Sequence, residues 1–368
     1  MDSQANVPNR PAEQPFVRPE VVRSPSAAGS PPPQIVIRQA SGFRRFIAWT
    51  GWLGLLLCVP VILGLLAAFR DYYDNSGGIQ EKYHSLAHYG RDKVAVINVG
   101  GVIMEGDGFV KRQIDRVRDD ERVRAVVVRI DSPGGTITGS DFIYHHLKKL
   151  REERKIPLVV SMGGVAASGG YYVAMAVGDA EKSIFAEPTT TTGSIGVIIP
   201  HYDLSGLLER LDVKDDSIAS HPRKQMLSMT RPLAPEDREI LTRYINESFE
   251  RFKEVVRSGR PNYREDKAAL DDLATGEIFT ATQAQQHGLV DEIGFVEDAI
   301  ERAIQLAGLE KEKVRVVQYK QPLTLLSAMG WGSAPSADYS LTSLLELTVP
   351  RAYYLSTSLP PLLSTDRR

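Results

Sequence analysis

The chain has 368 residues, 42% of them hydrophobic, and a formal net charge of −2. That length accommodates two domains or one large domain with extensions, and the near-neutral balance gives no sign of a nucleic-acid partner. With Cys58 as the only cysteine, an intramolecular disulfide is excluded.

Residues 1–43 are rich in Pro, Ser, Ala and Gln ("SPSAAGSPPPQ"). Such a composition buries too little apolar surface to order itself, so it reads as a disordered tail. The uncharged run "FIAWTGWLGLLLCVPVILGLLAAF", Phe46 to Phe69, follows. About 20 apolar residues span a bilayer core, so 44–70 reads as a transmembrane anchor, with Trp49 and Trp52 as interfacial aromatics. A cleaved signal peptide fits poorly, because the run is too long and starts too late. Arg38, Arg44 and Arg45 precede the span, whereas Arg70 beyond it is offset by Asp71 and Asp74. By the positive-inside rule the N-terminus is cytoplasmic and the bulk of the chain lies across the membrane. Residues 71–92 read as a juxtamembrane spacer with some helix. His84 and His88 lie at i, i+4 there, but no third ligand is nearby, so no metal site is expected.

A folded body is expected over 93–310. "VAVINV" (Val94–Val99) and the β-branched run "RAVVVRI" (Arg124–Ile130) read as buried strands, with the helix "FVKRQIDRVRDD" between them. "DSPGG" (Asp131–Gly135) breaks the second strand. Then come the helix "SDFIYHHLKKLREER", with Ser140 a plausible N-cap, and the strand "PLVVSM" (Pro157–Met162). This alternation implies an α/β fold with parallel strands and right-handed crossovers. Short strands at 182–188 and 193–198 continue it. A helix over 235–258 carries Ile240, Leu241, Tyr244, Ile245, Phe249, Phe252 and Val256. "TATQAQQHG" has a capping box, Thr280 with Gln283, and "VEDAIERAIQLAGL" is a final amphipathic helix. Residues 311–368 read as an extension without clear structure.

One ten-residue stretch stands out. "GGVAASGGYY" (Gly163–Tyr172) has four glycines and a single serine, Ser168, at the end of a strand. Small neighbours allow a sharp turn and close approach by another chain. A helix starting there would aim free N–H groups beside the hydroxyl, as an exposed nucleophile requires. The plainer reading is a tightly packed helix start capped by Ser168. "SPGG" (Ser132–Gly135) would lie at the same edge of a parallel sheet and bring its amides near Ser168. It also fits an ordinary type II turn with Pro133 and Gly134 at its centre. A serine needs a base. His145, His146, His201, His221 and His287 have no motif-like setting; a lysine serves if burial lowers its pKa, and pattern alone selects none.

"VSMGGVAASGGYYVAMA", with "IDSPGG" before it, "TTTTGSIGVI" after it and "LATGEIFTATQAQQHGLVDEIGFVEDAI" further on, resembles the signal peptide peptidase SppA family of membrane-bound serine proteases. The resemblance covers about 93–305. It implies a ClpP/crotonase-like fold and a Ser–Lys dyad without cofactor or metal. Position by position, Ser168 matches the nucleophile, Gly169 and Gly135 the oxyanion-hole donors, and Ser194 the serine that orients the lysine. Lys224, in "SHPRKQ", matches the general base, although His221 and Gln225 replace the family's glycine and aspartate. Lys214 is the nearest alternative. The resemblance further implies a homo-oligomer, an octameric ring whose active sites are shared between adjacent subunits. Its substrates would be extended, mostly apolar peptides such as cleaved signal peptides at a bacterial inner membrane. Competing readings are a non-catalytic scaffold of the same fold and a crotonase-type acyl-CoA enzyme.

Overall fold

The computed structural model describes residues 42–73, 79–321 and 352–356. The tail expected over 1–43 lies outside them up to residue 41. The chain divides into two units, residues 1–66 and 67–368. Helix α1 (Gly42–Tyr73) contains the apolar run, and its window Trp49–Leu66 has a mean hydropathy of 2.0. By length and composition it suffices to cross a membrane.

The body is an α/β fold around a mostly parallel sheet. Its strands are β1 (Gln80–Leu86), β2 (Asp92–Gly100), β3 (Val123–Ser132), β4 (Gly134–Thr136), β5 (Leu158–Ala167), β6 (Ile184–Ala186), β7 (Thr191–Gly193), β8 (Ile278–Thr280), β9 (Glu292–Ile293), β10 (Val314–Lys320) and β11 (Tyr353–Leu355). The main sheet runs β1-β10-β2-β3-β5-β6-β9, and only β1 is antiparallel to its neighbour. Helices α2 (Phe109–Asp119) and α3 (Ile137–Arg154) are crossovers between β2, β3 and β5. Past its middle, β5 leaves β6 and pairs instead with β7, which pairs antiparallel with β8. The continuous apolar run of β3 is explained by burial on both faces. Val126, Val128 and Ile130 pack toward α3, α4 (Gly169–Ala174) and α6 (Pro235–Gly259). Ala125 and Val127 face α10 (Val296–Leu306) through Ala299, Ile300 and Ala303. Each valine so enclosed contributes about 1.5–3 kcal/mol.

Several local expectations change. Residues 80–86 are not spacer helix but strand β1, and 314–320 are not an extension but a strand between β1 and β2. Helix α3 begins before Ser140: Thr136 is its N-cap, accepting from Gly139 N at 3.1 Å, while Ser140 Oγ donates back to Thr136 O. β5 does not stop at Met162. It runs through the glycines to Ala167, where Asp131 Oδ1 accepts from Val165 N. The second of the two expected short strands, β7, ends at Gly193 rather than starting there. The capping box of α9 (Ala281–Gln286) forms as expected. Two short helices, α7 (Asn262–Glu265) and α8 (Lys267–Leu273), link α6 to β8.

Lys93 fixes the lower edge of this sheet. It is 1% exposed, and Nζ donates to Glu81 at 2.5 Å and Asp120 at 2.7 Å. Burial opposes ionisation of Asp120 most strongly, but the hydrogen bonds from Lys93 and the Arg122 amide, together with the positive charges of both side chains, outweigh it and hold the carboxyl below its usual range. A depressed carboxylate stabilises the fold above about pH 4 and loses that contribution as pH falls through the lower folded value. Lys93→Met leaves Asp120 with only the exposed Arg122 at 3.4 Å and Glu81 with only Arg315 at 3.8 Å, so a loss of about 3 kcal/mol is expected. Denaturant unfolding at pH 7 and pH 4 checks this, and the gap between variant and wild type should narrow at the lower pH.

Candidate active site

Ser168 sits where β5 ends and α4 begins, and it is 1% exposed. Its backbone has φ 53° and ψ −115°. That conformation costs a non-glycine residue about 1–3 kcal/mol and persists only where surrounding contacts impose it. Here Ser168 N donates to Gly193 O at 2.8 Å, and Ser168 O accepts from Tyr172 N at 2.8 Å. The turn holds the hydroxyl off the strand while the first amides of α4 come free. Among the described residues, neither Ser168 Oγ nor the Gly169 amide has a hydrogen-bond partner.

The two glycine elements meet at this turn. A Cβ on Gly169 would overlap Ser140 Oγ and lie 3.1 Å from both Gly134 Cα and Gly135 N. A Cβ on Gly170 would sit 2.6 Å from Ser132 O. Gly134 has φ +101°. Yet "SPGG" is more than a turn: Gly134–Thr136 form β4, and Gly135 is bridged to Ile103. Ser194 follows Gly193 at φ 50° and is 8% exposed, so the Ser168–Gly193 hydrogen bond sets the two serines side by side.

Tyr171 and Tyr172 are both fully buried beneath α4. Tyr171 Oη donates to Leu289 O at 2.9 Å, and Tyr172 Oη donates to Asp141 Oδ1 at 2.5 Å. Burial pushes both hydroxyls up, so they remain protonated donors that anchor the helix.

Lys224 is a different case. It lies on a 3-10 turn, Pro222–Gln225, its backbone N donates to His221 O at 2.9 Å, and among the described residues its exposed side chain makes no ion pair or hydrogen bond. A single chain therefore does not join Lys224 to Ser168. The segment around it is also open: no residue between Ile195 and Asp237 is buried. Leu207 at 54%, Leu211 at 64% and Ile218 at 102% exposure show how open it is. The upper half of α6 shares this exposure; of its expected apolar set only Phe252 and Val256 are buried. Lys214 lies in the same exposed segment. None of the histidines reaches Ser168: His201 bonds Ser228 O, and His221 Nδ1 accepts from Arg223 N. No metal-binding group of three residues occurs among the described residues.

The sequence reading missed one component of this site. β11 lies antiparallel on β4, with Tyr354 opposite Gly135. On its other side Tyr353 exchanges both backbone hydrogen bonds with Ile198, at 2.9 and 3.0 Å. The sequence signal is slight, a short aromatic run "AYYL" inside a Leu/Ser/Pro-rich segment.

A profile of Peptidase family S49 matches residues 150–310. The slr0021 protein of Synechocystis sp. is 38% identical over 276 residues, covering 74% of this chain and 95% of its own length. The chloroplastic serine protease SPPA of Arabidopsis thaliana is 34% identical over 71% of this chain and 40% of that protein. Protease 4 of Salmonella typhi is 34% identical over 59% of this chain and 35% of its own length. The chain thus spans well under half of these last two relatives. Among solved structures, a ClpP1 point mutant from Listeria monocytogenes aligns with a TM-score of 0.37 and 19% identity. The alignment covers 56% of this chain and 94% of that one.

Proposed function

The chain belongs to Peptidase family S49 and is a serine-type peptidase, and on that premise we propose that it is a membrane-anchored endopeptidase with Ser168 as nucleophile and Lys224 as general base. The observation that carries this reading is the strained turn at Ser168, with the amides of Gly169 and Gly135 converging beside it. Ser168 Oγ attacks the scissile carbonyl, and the two amides receive the negative charge that develops on its oxygen. Lys224 takes the hydroxyl proton and returns it to the leaving amine. Ser194 orients the lysine. No cofactor or metal is needed.

Lys224 reaches Ser168 from a neighbouring subunit in this reading. Its exposed position and the apolar, unburied segment that carries it support that view, because such a surface needs covering by another copy of the chain. The assembly is a homo-oligomeric ring, an octamer by the family resemblance. Anchored through α1 with a cytoplasmic N-terminus, it places its chemistry on the periplasmic side of a bacterial inner membrane. There it takes extended apolar peptides, cleaved signal peptides among them.

Mixing Ser168→Ala chains with Lys224→Ala chains tests the shared site. Each variant alone should be inactive. Dissociated and reassembled at equal amounts, they should recover about a quarter of wild-type hydrolysis, since a random ring joins an intact serine to an intact neighbouring lysine at that frequency. No recovery in a reassembled ring rejects the shared dyad. Inactivity of the wild-type ring toward every unfolded substrate favours the scaffold reading instead, which the departures at His221 and Gln225 motivate.

A further inference from the structure

The loop that offers the Gly135 amide has little rigidity of its own. Gly134 has φ +101°, a conformation open to glycine and closed to most other residues. Pro133 before it has no N–H by which it could be tied down. Rotation of the Gly134–Gly135 peptide would turn the Gly135 N–H away from the Ser168 turn. In a trans peptide the C=O of one residue and the N–H of the next point in opposite directions. The Gly134 carbonyl accepts from Ile103 N at 2.8 Å, so the Gly135 N–H is aimed away from Ile103. On that side stands Gly169, whose Cβ would lie 3.1 Å from Gly135 N.

Ser132 holds the other end of this loop. It is the last residue of β3 and is fully buried. Its Oγ donates to Gly101 O at 2.6 Å and accepts from Gly134 N at 3.1 Å. One hydroxyl thus joins the loop after β2 to the loop after β3. Gly134 is held at both of its backbone polar groups, the N–H by Ser132 and the C=O by Ile103. The backbone of Ser132 reaches the nucleophile turn as well. It pairs with Ala166 of β5, and its carbonyl oxygen is the atom that a Cβ on Gly170 would meet at 2.6 Å. Ser132 therefore lies between the two elements that carry the oxyanion donors, and its burial keeps it from touching substrate.

We propose that Ser132 is a positioning residue for the oxyanion hole: its hydroxyl holds Gly134 in the left-handed conformation and so aims the Gly135 N–H at the oxygen of the scissile carbonyl. The inference rests on the peptidase reading above. Alanine at this position takes the acceptor from Gly134 N and the donor from Gly101 O. The Gly134–Gly135 peptide then samples other orientations, and the donor is in place for only part of the population. The charge that this donor meets develops after attack, so the loss falls on kcat rather than on substrate binding.

Full-length wild type and Ser132→Ala, purified in detergent, should be titrated to completion with a fluorophosphonate that labels Ser168. Casein hydrolysis is then expressed per labelled site, which removes any loss of folded enzyme from the comparison. Ser132→Ala is expected to lose about 10- to 30-fold in kcat per site with KM within about twofold, a smaller effect than deletion of a donor. A second readout uses trileucine aldehyde, which forms a hemiacetal with Ser168 whose oxygen takes the oxyanion position, and the matching alcohol, which forms no such bond. Ser132→Ala should weaken the aldehyde about tenfold and leave the alcohol within about twofold. Wild-type kcat per site in Ser132→Ala overturns this inference and leaves the peptidase reading standing. So does equal weakening of aldehyde and alcohol, the mark of a residue that only supports the fold. Should Ser132→Ala yield no labelled protein, Ser132→Cys replaces it. A thiol fills the space but bonds weakly, so the same selective loss of kcat and aldehyde affinity is expected, and its absence overturns the inference. Wild type that neither digests casein nor takes the label overturns the peptidase reading itself.

Discussion

Ser168→Ala is expected to lower kcat for peptide hydrolysis by about 10⁴- to 10⁶-fold, with little change in KM. In the proposed mechanism the hydroxyl is the one group that forms a bond to substrate, so nothing substitutes for it. Lys224→Ala should fall into the same range, and the double variant should be no worse than either single one, because the two residues act as one unit. Lys224→Arg should not rescue, since a guanidinium stays protonated and cannot act as a base. Lys214→Ala is the informative partner. Its side chain occupies the same exposed segment but has no role in the reading above, and its rates should stay within about twofold of wild type. Steady-state kinetics on an unfolded substrate measure all five variants. Wild-type kcat in Lys224→Ala together with loss in Lys214→Ala would reassign the base. The serine variants should melt near wild type, because the strained turn is imposed by the Gly193 hydrogen bond and not by the hydroxyl.

The main strands and helices were legible because their signals are local. A β-branched run such as Val126–Val128 has one stable solution, a strand covered on both faces, and the structure has it. The capping box at Thr280 and Gln283 is likewise a local device. Ser168, Gly169 and Gly135 were legible for a related reason: glycines at consecutive strand ends of a parallel sheet meet at one edge. What stayed hidden depends on pairing at long range. β1 lacks a continuous apolar run because only one of its edges is paired, and β10 joins the sheet more than 200 residues after its partner β2. β11 is a three-residue strand whose identity is set by β4 and Ile198, more than 150 residues away. The setting of Lys224 was hidden for a different reason. An exposed lysine in an unburied segment has no partner within one chain to mark it, and in the proposed ring its surroundings come from a neighbouring copy.

Gly135→Ala is expected to lower kcat by about 10²- to 10³-fold, the cost of misplacing one oxyanion donor. The added methyl would overlap Ile103 O and lie 2.7 Å from Ile103 Cα. Backbone atoms cannot rotate away. Ile103 is also held from both sides, donating to Gly134 O at 2.8 Å and accepting from Thr136 N at 2.7 Å. The Gly135 amide must therefore move, and overpacking of this kind costs about 1–3 kcal/mol of stability as well. Gly169→Ala should act on the other donor by a softer route. Its closest obstacle is Ser140 Oγ, a side-chain atom, followed by Gly134 Cα and Gly135 N at 3.1 Å. Adding Ser140→Gly to Gly169→Ala removes that obstacle and should restore part of the lost kcat, whereas it should do nothing for Gly135→Ala. Gly164→Ala supplies the contrast from the same glycine-rich stretch. Its Cβ would meet only Asp131 Oδ1, at the ordinary contact distance of 3.6 Å, so activity should stay near wild type. Measuring kcat alongside thermal unfolding separates the two effects, because an unfolded variant loses amplitude in the transition while a displaced amide lowers kcat in a folded one. A folded Gly135→Ala enzyme with wild-type kcat would remove that amide from the oxyanion hole. A graded series, with Gly164 tolerant, Gly169 rescuable and Gly135 intolerant, would show that the glycines serve the approach of two loops to one carbonyl rather than the flexibility of the strand that carries them.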